Sequence, residues 1–197
     1  SLDGLDIAYC SFSFTESWNY KILAFETISY SNSFKELLRN APSLDANSIS
    51  TLSDDFGVFM ADNLKGFIAD NAIQTIDLIA SHGHTVFHQP EKGITLQIGS
   101  PKPIFDLLKV PVAYDFRALD VQLGGQGAPL VPFVDHFLFS EYDACLNLGG
   151  FSNISFNIED KRLAFDICPV NIVLNLSANK LGLDFDNKGA LAANGQV

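Results

Sequence analysis

Four clusters of polar residues and glycines in this sequence have residue types and spacings that suit chemistry. The first is the Ser-Leu-Asp-Gly turn at residues 1–4, which leads directly into a strand-like run. Its backbone N–H groups and its hydroxyl suit a phosphate, although turns of this kind are also common as plain structure. The second is the segment 81–88, which contains three histidines. A metal site, a turn that contacts a substrate and a plain structural turn are the three interpretations of that spacing.

The third cluster places two carboxylates and a guanidinium, at Asp115, Arg117 and Asp120, next to a glycine-rich turn at residues 124–129. Glycine lets the backbone approach a ligand closely, and arginine can donate two parallel hydrogen bonds to a carboxylate or a phosphate. The cluster therefore predicts a ligand-binding loop. The alternative is an Asp–Arg pair that only braces the loop.

The fourth cluster combines a Gly149-Gly150 turn with Asp166, which we expect to end an apolar strand immediately before a helix. The glycine turn suits a phosphate. A partly desolvated carboxylate at the end of a strand can act as a general base, and a helix N-terminus beside it would favour an anion. The alternative is that Asp166 caps the helix.

The composition predicts a folded protein and argues against nucleic-acid and membrane partners. The chain has 197 residues, 47% of them hydrophobic, with 12 Lys and Arg against 23 Asp and Glu and a net charge of −11. The few cations are scattered, so they form no basic stripe for a phosphate backbone. No apolar run reaches the roughly 18 residues of a membrane span. The three widely spaced cysteines predict reduced, buried thiols in a cytoplasmic protein, and the absence of a C-x-x-C pair argues against a zinc site.

The elements that position these clusters predict a strand-rich α/β fold. Alternating residues predict a hairpin over 7–30, and apolar residues at steps of three and four predict a helix over 48–70, in which we expect Gly57 and Gly66 to mark close packing. The shorter predicted elements are helices at 33–40, 102–109 and 169–181 and strands at 76–80, 95–98, 110–114, 144–148, 154–158 and 162–165. No G-x-G-x-x-G follows the first strand, which argues against a dinucleotide-binding domain.

The predicted hairpin at 144–158 echoes the one at 7–30, because each lies beside a turn of small residues. Two halves that open with equivalent hairpins would meet near residues 140–143. The chain begins abruptly in a turn and ends in a loop-like stretch, so we expect it to be a fragment of a longer protein.

The four clusters belong to a longer ordered set of motifs. In chain order these are Ser-His-Gly-His-Thr-Val-Phe-His-Gln-Pro, Thr-Leu-Gln-Ile-Gly, Asp-Phe-Arg-x-x-Asp-Val, Gly-Gly-Gln-Gly-Ala-Pro-Leu-Val-Pro, Leu-Asn-Leu-Gly-Gly-Phe-Ser-Asn-Ile-Ser and Phe-Asp-x-x-Pro-x-Asn. The set resembles the anhydro-N-acetylmuramic acid kinase family over nearly the whole chain, with the weakest match at 13–75. The opening turn resembles the end of that family's Met-Ser-Gly-Thr-Ser-Leu-Asp-Gly motif.

The resemblance implies a fold of the actin/Hsp70/sugar-kinase type, which is ribonuclease H-like and has two α/β lobes with ATP in the cleft. Residues 1–141 would form the first actin-like ATPase lobe, with a mixed sheet and flanking helices but without its first strand and part of its phosphate loop. Residues 142–197 would be the incomplete start of a similar second lobe. The implied reaction opens 1,6-anhydro-N-acetylmuramic acid with water and transfers the γ-phosphoryl group of ATP, with Mg²⁺, to O6. The product is N-acetylmuramic acid 6-phosphate, in cytoplasmic cell-wall recycling.

The resemblance also assigns roles to residues. Asp166 would be the catalytic base, and no residue is assigned to a resident metal. The phosphates of ATP would be bound by Ser1, Asp3, Gly4, Gly149, Gly150 and Asn153. The sugar would be bound by His82, Thr85, Asp115, Arg117, Asp120, Gln126 and Asn171.

Three positions depart from the family pattern. His84 stands where the family has glutamine, and Cys168 and Val170 stand where it has glycine. The two lost glycines favour an alternative function, a non-catalytic protein of the same fold that binds and senses a muropeptide sugar. An ATPase of the Hsp70 or actin type that acts on proteins is a third hypothesis, against which the sugar-side motifs argue. An exposed lobe interface is expected to favour self-association, with a homodimer as the simplest form.

Overall fold

The computed structural model describes residues 4–128, 130–159 and 161–196. Ser1 and Asp3 of the predicted phosphate turn lie outside the described residues. The chain divides into two compact units, with the division after Ala128, and each unit is a mixture of helices and small sheets. The predicted α/β class is therefore confirmed. No helix in the described part of the chain is long and apolar enough to cross a membrane.

The first unit opens with the predicted hairpin. Strands β1 (Gly4–Phe14) and β2 (Trp18–Ser29) pair antiparallel, with a shift of register between Tyr9 and Cys10. Helix α1 (Asn32–Asn40) follows, and the Ser31 hydroxyl caps it by accepting a hydrogen bond from the backbone N–H of Phe34 at 3.2 Å.

The longest helix, α2 (Ala46–Asp70), confirms the predicted apolar stripe. Its Asp45 cap accepts a hydrogen bond from the Ser48 backbone N–H at 3.0 Å, and its buried face includes Phe56 and Met60. Gly57 packs closely, since a Cβ there would collide with the backbone carbonyl of Ser100, but a Cβ at Gly66 would meet nothing. The predicted close packing is thus right at Gly57 and wrong at Gly66.

The rest of the first unit alternates short strands and short helices. These elements are β3 (Ile79–Ser81), β4 (His84–Gln89), β5 (Ile94–Ile98), α3 (Pro101–Leu108), β6 (Val112–Tyr114) and α4 (Ala118–Gln122). Strands β3 and β6 pair parallel, and β4 and β5 pair antiparallel. The core between these elements and α2 is centred on the fully buried Leu38, Phe56, Ile98 and Ile104.

The second unit is built on a three-stranded antiparallel sheet. After helix α5 (Leu130–Leu138) come β7 (Ala144–Leu148), β8 (Phe151–Ile158) and β9 (Lys161–Pro169), in the order β7-β8-β9. Helices α6 (Asn171–Asn179) and α7 (Ala190–Asn194) follow. The predicted lobe boundary after residue 141 stays a prediction, and in this chain α5 groups with the sheet that follows it.

Two predictions about the end of the sheet were wrong. Strand β9 runs to Pro169, so Asp166 lies inside the strand and α6 begins only at Asn171. As an edge strand, β9 has room for a terminal proline that lacks a backbone N–H. The same edge position leaves Cys168 exposed, against the prediction of three buried thiols.

Candidate functional site

In the first unit, a hydrogen-bonded network joins three of the predicted sugar-side residues. The Nε of Arg117 donates to Nε2 of His82 at 2.9 Å, and its Nη1 donates to the backbone carbonyl of Gly127 at 2.7 Å. The backbone N–H of Gly127 in turn donates to Oδ2 of Asp120 at 2.6 Å. The turn that follows β3 is therefore tied to the loop that follows α4.

Two glycines of that loop are required by the network. Gly127 has a φ of +62°, and a Cβ there would lie 2.7 Å from Cγ2 of Val121. A Cβ at Gly125 would collide with the Asp120 carboxylate. The glycine-rich sequence thus lets a carboxylate and an arginine bind the loop backbone from two sides.

The histidines and the arginine of this site have altered proton affinities. The pKa of His82 is lowered mainly because the ring loses hydration, although part of the residue stays exposed. The charge of Arg117 lowers this pKa further. Burial likewise lowers the pKa of His84. Burial also lowers the pKa of Arg117, which remains a cation at neutral pH. Both histidines are therefore neutral at neutral pH, and the arginine carries the positive charge of the site.

A cavity of about 930 Å³ lies beside this network in the first unit. Gly4, His82 and Thr85, which were predicted at the phosphate and sugar sites, line it together with apolar residues of α2. Asp115 lines a separate cavity of about 270 Å³, and its backbone is left-handed, with a φ of +56°. The exposed Gln126 neighbours the network but makes none of its hydrogen bonds.

In the second unit, the Gly149-Gly150 turn holds the start of α6. The Nδ2 of Asn171 donates to the Leu148 carbonyl at 3.0 Å, and the backbone N–H of Val170 donates to the Gly150 carbonyl at 2.8 Å. The backbone N–H of Asn171 donates to the Gly149 carbonyl at 3.2 Å. These N–H groups are occupied, so the predicted anion site at this helix start is not free in the chain. Asn171 acts here as a brace for the glycine turn.

The predicted base lies in a row of polar residues across the sheet. Asn153 on β8 is paired with Asn147 on β7 and with Asp166 on β9. Asp166 is exposed in this chain, which does not match the expected partial desolvation. The register nevertheless places Asn153 and Asp166 side by side on neighbouring strands, and Asn153 is three residues after Gly150 along β8.

The two positions that depart from the family glycines do not need a glycine conformation. Neither Cys168 nor Val170 is among the described residues with a positive φ, and Val170 has a φ of −125°. The Ser152 hydroxyl donates to the Cys168 carbonyl at 3.2 Å, so the backbone there is held by the neighbouring strand. The substitutions therefore add side-chain bulk at positions that do not require the left-handed conformation of glycine.

A buried ionic cluster in the second unit was missed from the sequence. Arg162 Nη2 donates to Oγ of Ser155 at 2.8 Å and lies 3.8 Å from Oδ2 of Asp135, to which Ser155 also donates. The Arg162 and Asp135 side chains are only 9% and 10% exposed. The sequence signal for this cluster was an arginine, Arg162, inside an apolar strand. Its partner Asp135 lies on α5, a helix that was not predicted from the sequence.

The described residues offer no ready-made metal cage. No group of three or more His, Cys, Asp and Glu side chains among them could hold a metal ion. Mg²⁺ in kinases takes most of its ligands from water and nucleotide phosphates and needs only one or two carboxylates from the protein. Such a partial site is compatible with this chain.

An α/β fold with glycine turns beside strand-borne carboxylates is typical of enzymes that transfer phosphoryl groups. Comparison with known proteins is more specific: residues 1–197 match the family model described as anhydro-N-acetylmuramic acid kinase, and the chain therefore belongs to this family.

Curated relatives named anhydro-N-acetylmuramic acid kinase are similar along the whole chain. The protein of Zymomonas mobilis subsp. mobilis is 35% identical over an alignment of 216 positions, gaps included, which covers 100% of this chain and 59% of the relative. The proteins of Bacillus cereus strain AH820 and Bacillus anthracis are each 32% identical over an alignment of 217 positions and are covered to 56%. The chain thus spans a little over half the length of the relatives that it matches.

Proposed function

We propose that the whole protein is an ATP-dependent kinase that opens 1,6-anhydro-N-acetylmuramic acid with water and phosphorylates O6, giving N-acetylmuramic acid 6-phosphate for cell-wall recycling. The match of all 197 residues to the family model carries this proposal. The network of His82, Arg117 and Asp120 supports it, because it joins three motifs of the family pattern: His82 comes from the first, Arg117 and Asp120 from the second, and the Gly127 loop from the third.

In the proposed reaction, the Asp166 carboxylate takes a proton from water, and the water oxygen forms a bond to C1 of the sugar. The bond between C1 and the bridging O6 breaks, and O6 forms a bond to the γ-phosphorus while ADP leaves. Mg²⁺ neutralises the phosphate charges when it is bound. The turns at Gly4 and at Gly149-Gly150 would approach the phosphates, together with Ser1, Asp3 and Asn153.

The sugar would bind along the first unit. His82 and Thr85 line its larger cavity, and Arg117 supplies a cation that suits the carboxylate of a muramic acid. Asp115 and Asp120 would position the loop or accept hydrogen bonds from sugar hydroxyls, and Gln126 could donate to a sugar oxygen. Asn171 would hold the second glycine turn. Catalysis in this proposal is mainly a matter of positioning, because one base serves both bond changes.

The proposal includes the fold and the setting. The two units would be parts of the two lobes of an actin/Hsp70/sugar-kinase fold, and the whole protein would act in the cytoplasm. The antiparallel hairpins β1–β2 and β7–β8 support the two-lobed interpretation.

A sugar-sensing protein without activity is the second candidate, and the side chains of Cys168 and Val170 favour it. The absence of a left-handed backbone at both positions weighs against it, since neither position requires glycine for its φ. The two candidates differ in one outcome, because only the kinase makes a sugar 6-phosphate.

The test uses the full-length protein with ATP, Mg²⁺ and 1,6-anhydro-N-acetylmuramic acid, and mass analysis of the sugar. The kinase is expected to add one water and one phosphoryl group to the sugar. Asp166→Asn should lower the rate by at least about a thousandfold, because the amide cannot take the proton. Asp184→Asn, an exposed carboxylate of the same unit, is the control and should keep the wild-type rate. Binding of the sugar without any product would overturn the kinase and leave the sensor.

A further inference from the structure

We infer that His82 is a positioning residue that works only as a neutral imidazole: it accepts a hydrogen bond from Arg117 and so holds the guanidinium against the Gly127 loop. The part of this inference that concerns the sugar rests on the proposed function. The part that concerns the hydrogen bond and its loss in acid does not.

The contacts specify the proton on each nitrogen of the ring. Arginine has no acceptor atom, so the 2.9 Å contact from Arg117 Nε requires a lone pair on Nε2 of His82. The Nδ1 of His82 lies 3.1 Å from the backbone carbonyl of Gly83, which can only accept, so Nδ1 carries the hydrogen. A second proton on the ring would occupy Nε2 and point at the Nε–H of Arg117. Protonation of His82 therefore breaks this bond.

The bond matters because Arg117 connects two segments of the site. Its other end donates to the carbonyl of Gly127, whose N–H is bound by Asp120. His82 lies in the turn between β3 and β4 and lines the larger cavity with Thr85. When His82 is neutral, the cavity wall and the glycine loop are held in one arrangement. When it is charged, two cations meet at that point and the two segments separate.

The charged groups around His82 act on its protonation in both directions, with two bases favouring the neutral ring and two carboxylates favouring the charged ring. Arg117 contacts the ring directly, and His84 on β4 is a second base whose charge would repel that of His82. Asp6 on β1 and Asp77 before β3 line the same cavity and would favour the charged ring. Asp6 accepts a hydrogen bond from Thr27 at 2.6 Å, and neither carboxylate is among the described hydrogen-bond partners of His82. The pKa of His82 is lowered mainly by lost hydration, and the charge of Arg117 adds to this against the hydrogen bond to the Gly83 carbonyl.

The test is an NMR titration of the histidine rings in the full-length protein between pH 8 and pH 5. The ring nitrogen shifts should identify the Nδ1–H tautomer for His82 at pH 8, and His82 should titrate below the roughly 6.5 of an ordinary histidine. His82→Gln identifies the signals and supplies a conservative replacement, because an amide oxygen accepts from Arg117 but gains no proton in this range. A His82 ring that titrates at or above that ordinary value, or that shows the other tautomer, would overturn the inference.

The consequence for the sugar is measured separately, as the dissociation constant of 1,6-anhydro-N-acetylmuramic acid over the same pH range. Wild-type affinity is expected to fall about tenfold as His82 gains its proton, which is the worth of one charge-assisted hydrogen bond. His82→Gln should lose the fall between pH 8 and pH 5 and bind the sugar more tightly than His82→Leu, which should be about tenfold weaker than wild type at pH 8 and show no fall. His88→Gln should retain the wild-type profile. A fall that persists in His82→Gln would contradict the inference. Absence of sugar binding at every pH would instead contradict the proposed function, and the titration would still decide on the hydrogen bond.

Discussion

Arg162 carries a charge that is nine-tenths buried under α5, and Asp135 is the acidic side chain nearest to it. Two nitrogens of this arginine, Nε and Nη1, are buried without a hydrogen-bond partner among the described residues. A buried ion pair with unpartnered N–H groups contributes little net stability, but the loss of one partner leaves the other charge buried alone. The pair therefore affects the free energy of unfolding mainly when one of its two partners is removed.

We expect Arg162→Met to lower the free energy of unfolding of the second unit by about 3 kcal/mol, because Asp135 and Ser155 lose their cationic partner. The double variant Asp135→Leu with Arg162→Met should recover most of that loss, since it removes both charges. Urea unfolding followed by circular dichroism measures both. Lys161→Met, at the exposed neighbouring position, is the control and should change the stability by less than about 0.5 kcal/mol. A double variant as unstable as the single one would show that the pair itself is the stabilising feature.

His82 and His84 make the first unit sensitive to acid. The pKa of each is lowered in the folded chain, mainly by burial, so below the ordinary value of roughly 6.5 the unfolded chain binds more protons than the folded one. Their contribution to stability is complete above about pH 6.5 and is lost as the pH falls towards their folded values. Urea midpoints at a series of pH values should therefore decrease through this window. His84→Gln should make the decrease shallower, and an unchanged slope in that variant would contradict the role of His84.

At the residue scale, the sequence indicated which side chains belong together but not their contacts. The types of His82, Arg117 and Asp120 predicted a ligand-binding loop, which stays a prediction, and the structure joins the three residues in one network. The hydrogen bond between His82 and Arg117 spans 35 residues of sequence, so no local pattern indicates it. The same reason explains why the partner of Arg162 was missed.

At the scale of the element, α2 contains two glycines with opposite surroundings. Gly57 faces the start of α3, where a Cβ would collide with the carbonyl of Ser100, and Gly66 faces open space. Gly57→Ala should lower the free energy of unfolding by about 1–3 kcal/mol through overpacking. Gly66→Ala should raise it by about 0.5–1 kcal/mol, because alanine is the better helix former. Thermal unfolding of the two variants measures this, and a loss of stability in both would mean that Gly66 also packs closely.

The elements themselves show where a sequence pattern is informative. Helix α2 was predicted within about two residues because its apolar stripe runs over seven turns and a capping aspartate marks its start. Strand β9 was predicted too short, because Asp166 and Pro169 are residues that usually interrupt strands. The open edge of β9 tolerates both, and edge position is a property of the sheet rather than of the local sequence.

At the scale of the whole molecule, the second unit exposes apolar residues on the same elements that carry the candidate base. On α6 the exposed fractions of Ile172, Val173, Leu174 and Leu176 lie between 46% and 58%. Strand β9 exposes Phe165 and Ile167 at 54% and 52%. Exposed apolar residues of this density are typical of surfaces that another part of the protein or another chain covers.

We therefore expect the 197-residue chain to self-associate by itself, and the full-length protein to do so less. Light scattering coupled to size exclusion should give a mass for this chain that rises with concentration, because the hydrophobic surface gains about 25 cal/mol for each Å² removed from water. Leu174→Glu with Leu176→Lys should shift the chain towards the monomer, whereas Leu107→Lys on the exposed face of α3 should not. A monomer at all concentrations would mean that the α6 surface does not associate. If this chain and the full-length protein associate equally, the remainder of the protein does not cover the α6 surface. That outcome would indicate that the second unit carries the interface of a native homodimer.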